Sequence, residues 1–386
     1  MRVVLLTAEY PPQQGGVGDF TRELGRALCS LGAEIVVVTG VGDSEPSEPL
    51  PVHRVIPNWG WRCWPAIHQY VQTLHADVVH IQYQTAAYHL HPAINLYPLA
   101  SRWVRRRVPI VVTFHDVRVP YLFPKAGPLR AWVNKALARE SQVAIATNRE
   151  DFLQLRAWMR PREPHLIPIG SNICPHPPAD YNRDAWRARW GVRAEDWLLG
   201  YFGFLNASKG GETLIRALRL LVDTGKPAML LMIGGRTGSS DPTNIAYAAG
   251  IDRLIEESGL RKRVQWTGYT PAEEVSANLL ATDVVVLPYR DGASFRRGSF
   301  MAALAHGLPI VTTYPQVETP ELVDGENVAL VSVDDAEAIA ARVTTLMSDP
   351  QVRQRLREGA RKLSELFRWE KIAQQTLEVY RAVLAR

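Results

Sequence analysis

Cysteine is scarce: Cys29, Cys63 and Cys174 are the only three, and they stand far apart in a chain of 386 residues. None forms a CxxC pair or falls at Cys/His ligand spacing, so neither a disulfide framework nor a zinc site is expected, and a reducing compartment fits. Long apolar runs are lacking too. No window approaches the roughly 18 uninterrupted apolar residues that span a bilayer, so any membrane contact is expected to be peripheral. The amino terminus passes from Met1 and Arg2 directly into a short apolar run, with Glu9, Pro11 and Pro12 close behind, which is not the layout of a secretion signal. A cytoplasmic location follows as an expectation, with contact at the inner membrane face as its furthest extension. Low-complexity segments and short repeats are also missing. The net charge of +5 is modest for this length, reads as ordinary solubility, and points to no nucleic-acid partner.

What the chain does contain is the composition of a folded protein, 46% apolar and 22% charged, at a length that exceeds one comfortable core. Two domains are expected. The first half repeats a short Val/Ile-rich run followed by a stretch with helical spacing, at Val3–Thr7, Ile35–Thr39, Val78–Gln82, Ile110–Phe114, Val143–Thr147 and Leu166–Ile169. Continuous apolar runs, without period-2 alternation, are those of parallel strands covered on both faces. Residues 171–178 are proline-dense and suit neither a helix nor a central strand. They mark a linker. The βα pattern then resumes at Leu198–Phe204, Met229–Gly234, Val264–Gly268, Val284–Pro288, Ile310–Thr312 and Val328–Val331, and helical spacing fills Pro350 to Arg386. The expected architecture is α/β: a Rossmann-like domain over 1–172, a second over 173–366, and a final helix over 367–386. Ligands of such open sheets bind beyond the carboxyl ends of the strands, so the site is sought in the crevice there.

Four segments carry candidate chemistry. The loop Pro11-Pro12-Gln13-Gln14-Gly15-Gly16-Val17-Gly18 opens a helix, and such a turn exposes backbone N–H groups to a diphosphate. It only half fits a dinucleotide fingerprint, and strand two ends Val38-Thr39-Gly40 without the acidic residue that would hold a ribose. A tight turn alone would also explain the glycines. Thr113-Phe114-His115-Asp116 ends the fourth apolar run. His115 there suits a hydrogen bond to a sugar hydroxyl or charge stabilisation near a reacting carbon, and a strand-end histidine satisfied by backbone is an equal reading. In Gly203-Phe204-Leu205-Asn206-Ala207-Ser208-Lys209-Gly210-Gly211, Lys209 stands at a helix start, where its charge opposes the dipole unless an anion is present. In Asp291-Gly292-Ala293-Ser294-Phe295-Arg296-Arg297-Gly298-Ser299, two arginines precede a short helix that Ser299 is expected to cap and Gly307 to end, a pattern suited to a diphosphate.

In this order the segments resemble the retaining GT-B glycosyltransferases, in particular glycosyltransferase family 4. The resemblance covers nearly the whole chain and rests on Glu9-Tyr10-Pro11-Pro12 with Gly15-Gly16, Phe114-His115-Asp116, the Gly203-to-Gly210 pattern ending Lys-Gly, and Gly234-Gly235. It also rests on Ala303-x-Ala305-x-Gly307-x-Pro309 and Phe367-x-Trp369-Glu370-Lys371-Ile372. It implies two facing Rossmann-like domains and transfer of a sugar, with retention and without a metal or other cofactor, from a UDP-, GDP- or ADP-sugar to an acceptor hydroxyl. It implies His115 near the donor sugar and Lys209 on the phosphates, and from its own sequence Arg297 is expected beside them, nearest the chemistry. Donor contacts are expected at Gly15, Gly16, Asn206, Gly234, Tyr269, Asp291, Ser294, Arg296, Gly298 and Ser299, of which the resemblance itself implies Gly16 near the diphosphate and a nucleobase slot around Gly268-Tyr269-Thr270. Two departures matter: Phe204 stands where the family usually has arginine, and Ser294 and Ala302 stand where it has a Glu-x7-Glu pair. Arg296 and Arg297 are expected to replace the charge missing at Phe204, and Asp291 or Ser294 a lost sugar contact.

The acceptor is expected on the first domain, whose loops hold Trp59, Trp61 and Trp64 and the basic stretch Arg102 to Arg107. A helix from Pro128 to Arg139 sets Leu129, Trp132, Val133 and Leu137 on one side, a stripe that suits the core or an anionic membrane surface. Lipid-linked, glycan and small-molecule acceptors all stay open. So do two other activities: a sugar-nucleotide epimerase, and a sugar-nucleotide-binding protein that lost catalysis with the two glutamates.

Overall fold

A computed structural model describes residues 1–13, 15–44, 50–103, 107–117, 127–236 and 242–385. The chain forms two compact units, Met1–Asn172 with Phe367–Arg386, and Ile173–Leu366. The first unit holds β1 (Arg2–Thr7), β2 (Glu34–Gly40), β3 (Val52–Ile56), β4 (Val78–Gln84), β5 (Ile110–Asp116), β6 (Val143–Ala146) and β7 (His165–Leu166). With them are α1 (Gly16–Ser30), α2 (Cys63–Thr73), α3 (Ala93–Ala100), α4 (Gly127–Glu140) and α5 (Arg149–Met159). All strand pairs are parallel, in the order β3-β2-β1-β4-β5-β6-β7.

Burial on both faces explains the apolar runs: Val4 and Leu6 of β1 enter one core cluster, Val3 and Leu5 the other. Two strands depart from the sequence reading. β3 has no apolar run to betray it, since Val52-His53-Arg54-Val55-Ile56 lies at the sheet edge with four of its residues only half-buried. The run expected at Leu166–Ile169 shrinks to His165–Leu166 because Pro168 has no N–H to extend the ladder. Residues 167–182 contain neither helix nor strand.

The second unit contains α6 (Arg183–Arg189), β8 (Trp197–Phe202), α7 (Gly211–Asp223), β9 (Ala228–Ile233), α8 (Pro242–Glu257), β10 (Val264–Trp266) and α9 (Ala272–Ala281). It continues with β11 (Val284–Leu287), α10 (Gly298–Ala305), β12 (Ile310–Thr313), β13 (Ala329–Val331), α11 (Ala336–Ser348) and α12 (Pro350–Ser364). Its six strands are parallel in the order β10-β9-β8-β11-β12-β13. Each sheet therefore reverses its winding once, between β1 and β4 and between β8 and β11. Beyond the carboxyl ends at such a reversal the loops diverge and leave room for a ligand.

The last helix, α13 (Trp369–Leu384), belongs to the first unit. Its Ile372, Leu377, Tyr380 and Val383 share a core with Phe20, Leu24 and Leu28 of α1. Trp369 lies on Gly170, where a Cβ would come within 2.6 Å of the indole, so any larger residue would displace the ring. The Trp369 indole N–H donates to the Ser171 carbonyl at 2.9 Å.

Candidate active site

In the second unit the loops after β8 and β11 converge on one cluster. β8 runs into Gly203 (φ +116°), a short 3-10 turn over Ala207–Lys209, and Gly210 (φ +67°) before α7. Gly210 is required twice, by its left-handed backbone and because a Cβ would strike the Pro288 carbonyl after β11. A Cβ at Gly203 would lie 2.8 Å from the Lys209 Nζ and 3.9 Å from the Ser299 Oγ. The ammonium thus folds back over the strand end. From β11, buried Tyr289 shares a 2.6 Å hydroxyl–hydroxyl hydrogen bond with Ser299, and the Arg297 guanidinium lies 5.1 Å from the Tyr289 ring centre while pairing with Asp291. Arg290 ties the two loops together: its N–H donates to the Ser208 carbonyl at 2.8 Å, and its guanidinium bridges Glu212 at 2.7 Å and Asp334 at 2.8 Å.

The electrostatics of this cluster are those of an anion site. Lys209 has no carboxylate partner among the described residues, and its pKa is pushed down to about 8, first by burial and then by the Arg297 charge, with Asp291 opposing. The Arg297 Nε and the Asp291 Oδ1 are buried without hydrogen-bond partners. Two cations held this close, one short of solvation, gain most from a ligand carrying two negative charges.

The expected cap is corrected: Ser299 does not cap the short helix. α10 begins at Gly298 with Arg297 as its N-cap, and no side chain closes its first turn, because the Ser299 hydroxyl is committed to Tyr289. Gly307 (φ +59°) does end that helix. Ser294 and Asp291 are half-buried, Gly298 is exposed, and the Arg296 N–H faces the Ser294 Oγ at 3.5 Å. Phe204 is 40% exposed, and Ala302, where a family glutamate would stand, is fully buried. Asn206 accepts from the Ser208 hydroxyl at 2.8 Å, and its carbonyl accepts from the Lys209 N–H at 3.0 Å. Gly234 (φ +105°) donates to the Thr267 Oγ1 at 2.9 Å and bridges Gly268, beyond which Tyr269 stands 75% exposed.

The first unit contributes its own set. Gly15 is the N-cap of α1 without a side-chain cap, and at Gly16 a Cβ would meet nothing within 4 Å, so the helix end is open there. Gly18 is the glycine that packing demands, since a Cβ would sit 3.0 Å from the Tyr10 Cα. Sequence reasoning gave no role to Glu9, whose carboxyl lies against Gly15; burial first, then Asp19, raises its pKa. Gln14 and residues 104–106 lie outside the described residues.

His115 is held by neighbours that its motif does not reveal. Its Nε2 lies 3.0 Å from the Gln82 Oε1 and its ring packs edge-on against Phe20 at 4.6 Å; Phe20 in turn packs on Trp369 at 5.3 Å. The strand-end histidine is therefore satisfied by a side chain, not by backbone. With the amide oriented this way Nε2 donates, which leaves Nδ1 as an acceptor, and the Gln82 amide nitrogen is buried without a partner. Burial pushes the His115 pKa down to about 3, so the ring is neutral at pH 7. Beside these residues, at the carboxyl ends of β1, β2 and β3, a cavity of about 570 Å³ is lined by Gln13, Thr39, Asp43, Arg54, Asn58 and Trp59, among others. Trp59 is buried edge-on against Tyr88, whereas Trp61, near Trp64 and His91, is half exposed.

Comparison with known proteins gives the site its context. Glycosyl transferases group 1 matches residues 182–363, and the glycosyl transferase 4-like domain matches residues 15–170. The D-inositol 3-phosphate glycosyltransferase of Xylanimonas cellulosilytica is 28% identical over a 424-residue alignment covering 98% of this chain and 96% of that one. The alpha-maltose-1-phosphate synthase of Mycolicibacterium smegmatis is 26% identical over a 415-residue alignment that covers both chains fully. HepE of Anabaena, solved in complex with UDP and glucose, superposes with a TM-score of 0.78 at 20% identity over 99% of this chain and 100% of that one. Two parallel Rossmann-like sheets of this strand order, matched along nearly their whole length, make the chain a GT-B-fold member of the group 1, family 4-like glycosyltransferases.

Proposed function

We propose that this glycosyltransferase takes a nucleoside diphosphate sugar as donor and transfers the sugar to an acceptor hydroxyl with retention of anomeric configuration. The observation that carries this reading is the convergence of Lys209 and Arg297 at the winding reversal of the second sheet, two cations matched to a diphosphate. In the step proposed, the bond from the anomeric carbon to the diphosphate oxygen breaks while the acceptor oxygen bonds to the same face. The acceptor proton passes to the departing diphosphate. Lys209 and Arg297 stabilise the charge that develops on that leaving group. The neutral His115 ring offers Nδ1 as an acceptor for a sugar hydroxyl. Front-face transfer suits a site whose nearby carboxylate, Asp291, is engaged by Arg297 and so poorly placed to act as a covalent nucleophile.

The complex of HepE with UDP makes a UDP-sugar the first donor to test. The test is nucleotide release from UDP-, GDP- and ADP-sugars with and without an acceptor panel, followed by NMR of the product's anomeric proton. Release that depends on acceptor, with the donor's configuration kept, is expected. Donor consumption without acceptor, or an inverted product, would overturn the proposal.

The 570 Å³ cavity beside Gln13, Arg54 and Trp59 is the proposed acceptor pocket. Peripheral membrane docking is proposed for the exposed Leu129 (63%) and Trp132 (56%) of α4 together with Trp103 (89%) in the 3-10 turn Ser101–Trp103 that follows α3, while Val133 and Leu137 of α4 are buried. Among the described residues no helix is long and apolar enough to cross a membrane. A Trp103→Ser/Trp132→Ser double variant is expected to lose at least half of its co-sedimentation with phosphatidylglycerol vesicles while keeping its Tm, because exposed aromatic rings add membrane affinity without adding to the core. Unchanged co-sedimentation would count against this docking face.

A further inference from the structure

The second unit has a cavity of about 580 Å³ at the end of the sheet opposite Lys209. Its walls are α6, the residues leading into β8, the residue before β11, and α12, so it lies by the amino ends of the strands whose carboxyl ends carry the donor cluster. Five arginines line it, Arg183, Arg187, Arg193, Arg353 and Arg357, against three aspartates, Asp184, Asp196 and Asp283. Most of this charge is already spoken for. Asp283 accepts from Arg183 at 2.7 Å, from Arg187 at 3.0 Å and from the Leu198 N–H at 2.8 Å. Arg193 grips Asp196 with two bonds of 3.0 Å. Arg353 donates to the Met347 carbonyl at 3.2 Å and lies 5.2 Å from the Trp197 ring centre.

Arg357 is the exception. It is half-buried and lines the cavity with no hydrogen bond or ion pair to any described residue. Burial and the charges of Arg183, Arg361 and Arg353 all disfavour its charged form, and only Asp283 supports it. A guanidinium left half-desolvated among like charges is a cost to the folded state that a bound anion would remove. The volume is that of a pocket for a small organic ligand, and the planar fork of the one unengaged guanidinium, Arg357, matches two oxygens of a phosphate.

We propose that this cavity is a second anion site, distinct from the donor cluster, which binds the phosphate group of a small phosphorylated molecule through Arg357. The site predicts an unusual separation of stability from binding. Arg357→Met keeps the aliphatic stem and removes the unpaired charge, so the unliganded Tm is expected to stay unchanged or rise, while affinity for glucose 6-phosphate falls at least about tenfold. Lys209→Ala is expected to bind glucose 6-phosphate as the wild type does. Titration calorimetry of wild type, Arg357→Met and Lys209→Ala with glucose 6-phosphate and with inorganic phosphate reads both effects. Arg357→Ala is the second variant should the methionine pack poorly. Phosphatidylglycerol vesicles offered instead assign the phosphate to a lipid headgroup if their binding depends on Arg357. No binding by wild type from any of these sources, affinity unchanged in the Arg357 variants, or affinity abolished by Lys209→Ala would each overturn the proposal. A fall in unliganded Tm in both Arg357 variants would show the side chain to be a structural element and would overturn it as well.

Discussion

Lys209→Ala is expected to lower kcat/KM for the donor by about 100- to 1000-fold, the loss typical of removing one charge-stabilising donor from a transition state. The fold should survive, since the ammonium has no carboxylate partner among the described residues whose removal would strand a buried charge. The same residue sets a pH dependence. Its pKa in the ligand-free protein is about 8, so donor affinity should be steady below pH 8 and weaken above it as the ammonium deprotonates. Lys209→Arg, which stays charged, should remove that alkaline decline even if geometry costs it activity. Initial rates against donor concentration from pH 6.5 to 9.5 test both points, and a wild-type profile flat through pH 9 would contradict the assignment of Lys209 to the phosphates.

Tyr380→Ala is expected to cost about 3–5 kcal/mol of stability, the range for truncating a fully buried aromatic. Tyr380 is wholly buried on α13, and its hydroxyl lies 2.5 Å from the Nδ1 of His80 in β4, whose Nε2 lies 2.7 Å from the Thr113 Oγ1 in β5. Tyr380→Phe, which keeps the ring and strands one nitrogen of His80, should cost about 1–3 kcal/mol. Burial pushes both His80 and His115 down to about 3, and His115 adds to the effect on His80. Their folded values lie below the unfolded value of about 6.5. The unfolded chain therefore binds more protons across that window, and stability present above pH 6.5 is lost as pH falls toward 3, by up to about 1.4 kcal/mol per pH unit for each histidine. Urea unfolding at pH 7 and pH 5 should show the fall in midpoint, and His80→Gln should show a shallower one.

Legibility in the sequence followed how strongly each feature is written in local chemistry. Strands buried on both faces announce themselves as apolar runs, as Val3–Thr7 and Val284–Leu287 do. The edge strand Val52–Ile56 does not, because an edge needs no second apolar face. Glycines at positive φ marked the loops at Gly203, Gly210 and Gly307. A serine before an apolar run suggested a cap at Ser299, yet nothing local could show that the Tyr289 hydroxyl, ten residues earlier, would claim it. The role of Gly18, too, depends on where the Tyr10 backbone passes.

Lys209 and Arg297 drew attention in the sequence because a lysine at a helix start and paired arginines before a helix suit an anion, whereas a strand-end histidine such as His115 reads equally well as a residue satisfied by its neighbours. The partners of His115, Gln82 and Phe20, could not be read because they lie 33 and 95 residues away in the chain, and the fold-back of Lys209 over Gly203 depends on the course of the loop between them. The unpaired Arg357 left no trace in any motif, since its isolation depends on Arg183 and Arg187 having taken Asp283. The sequence by itself determined two parallel α/β domains, because apolar periodicity and glycine placement are local properties of the chain, and its ordered motifs carried the resemblance to the family 4 glycosyltransferases. Only the tertiary structure decided which charges are paired, which polar atoms are stranded and how much water each retains, because those depend on residues brought together from far along the chain.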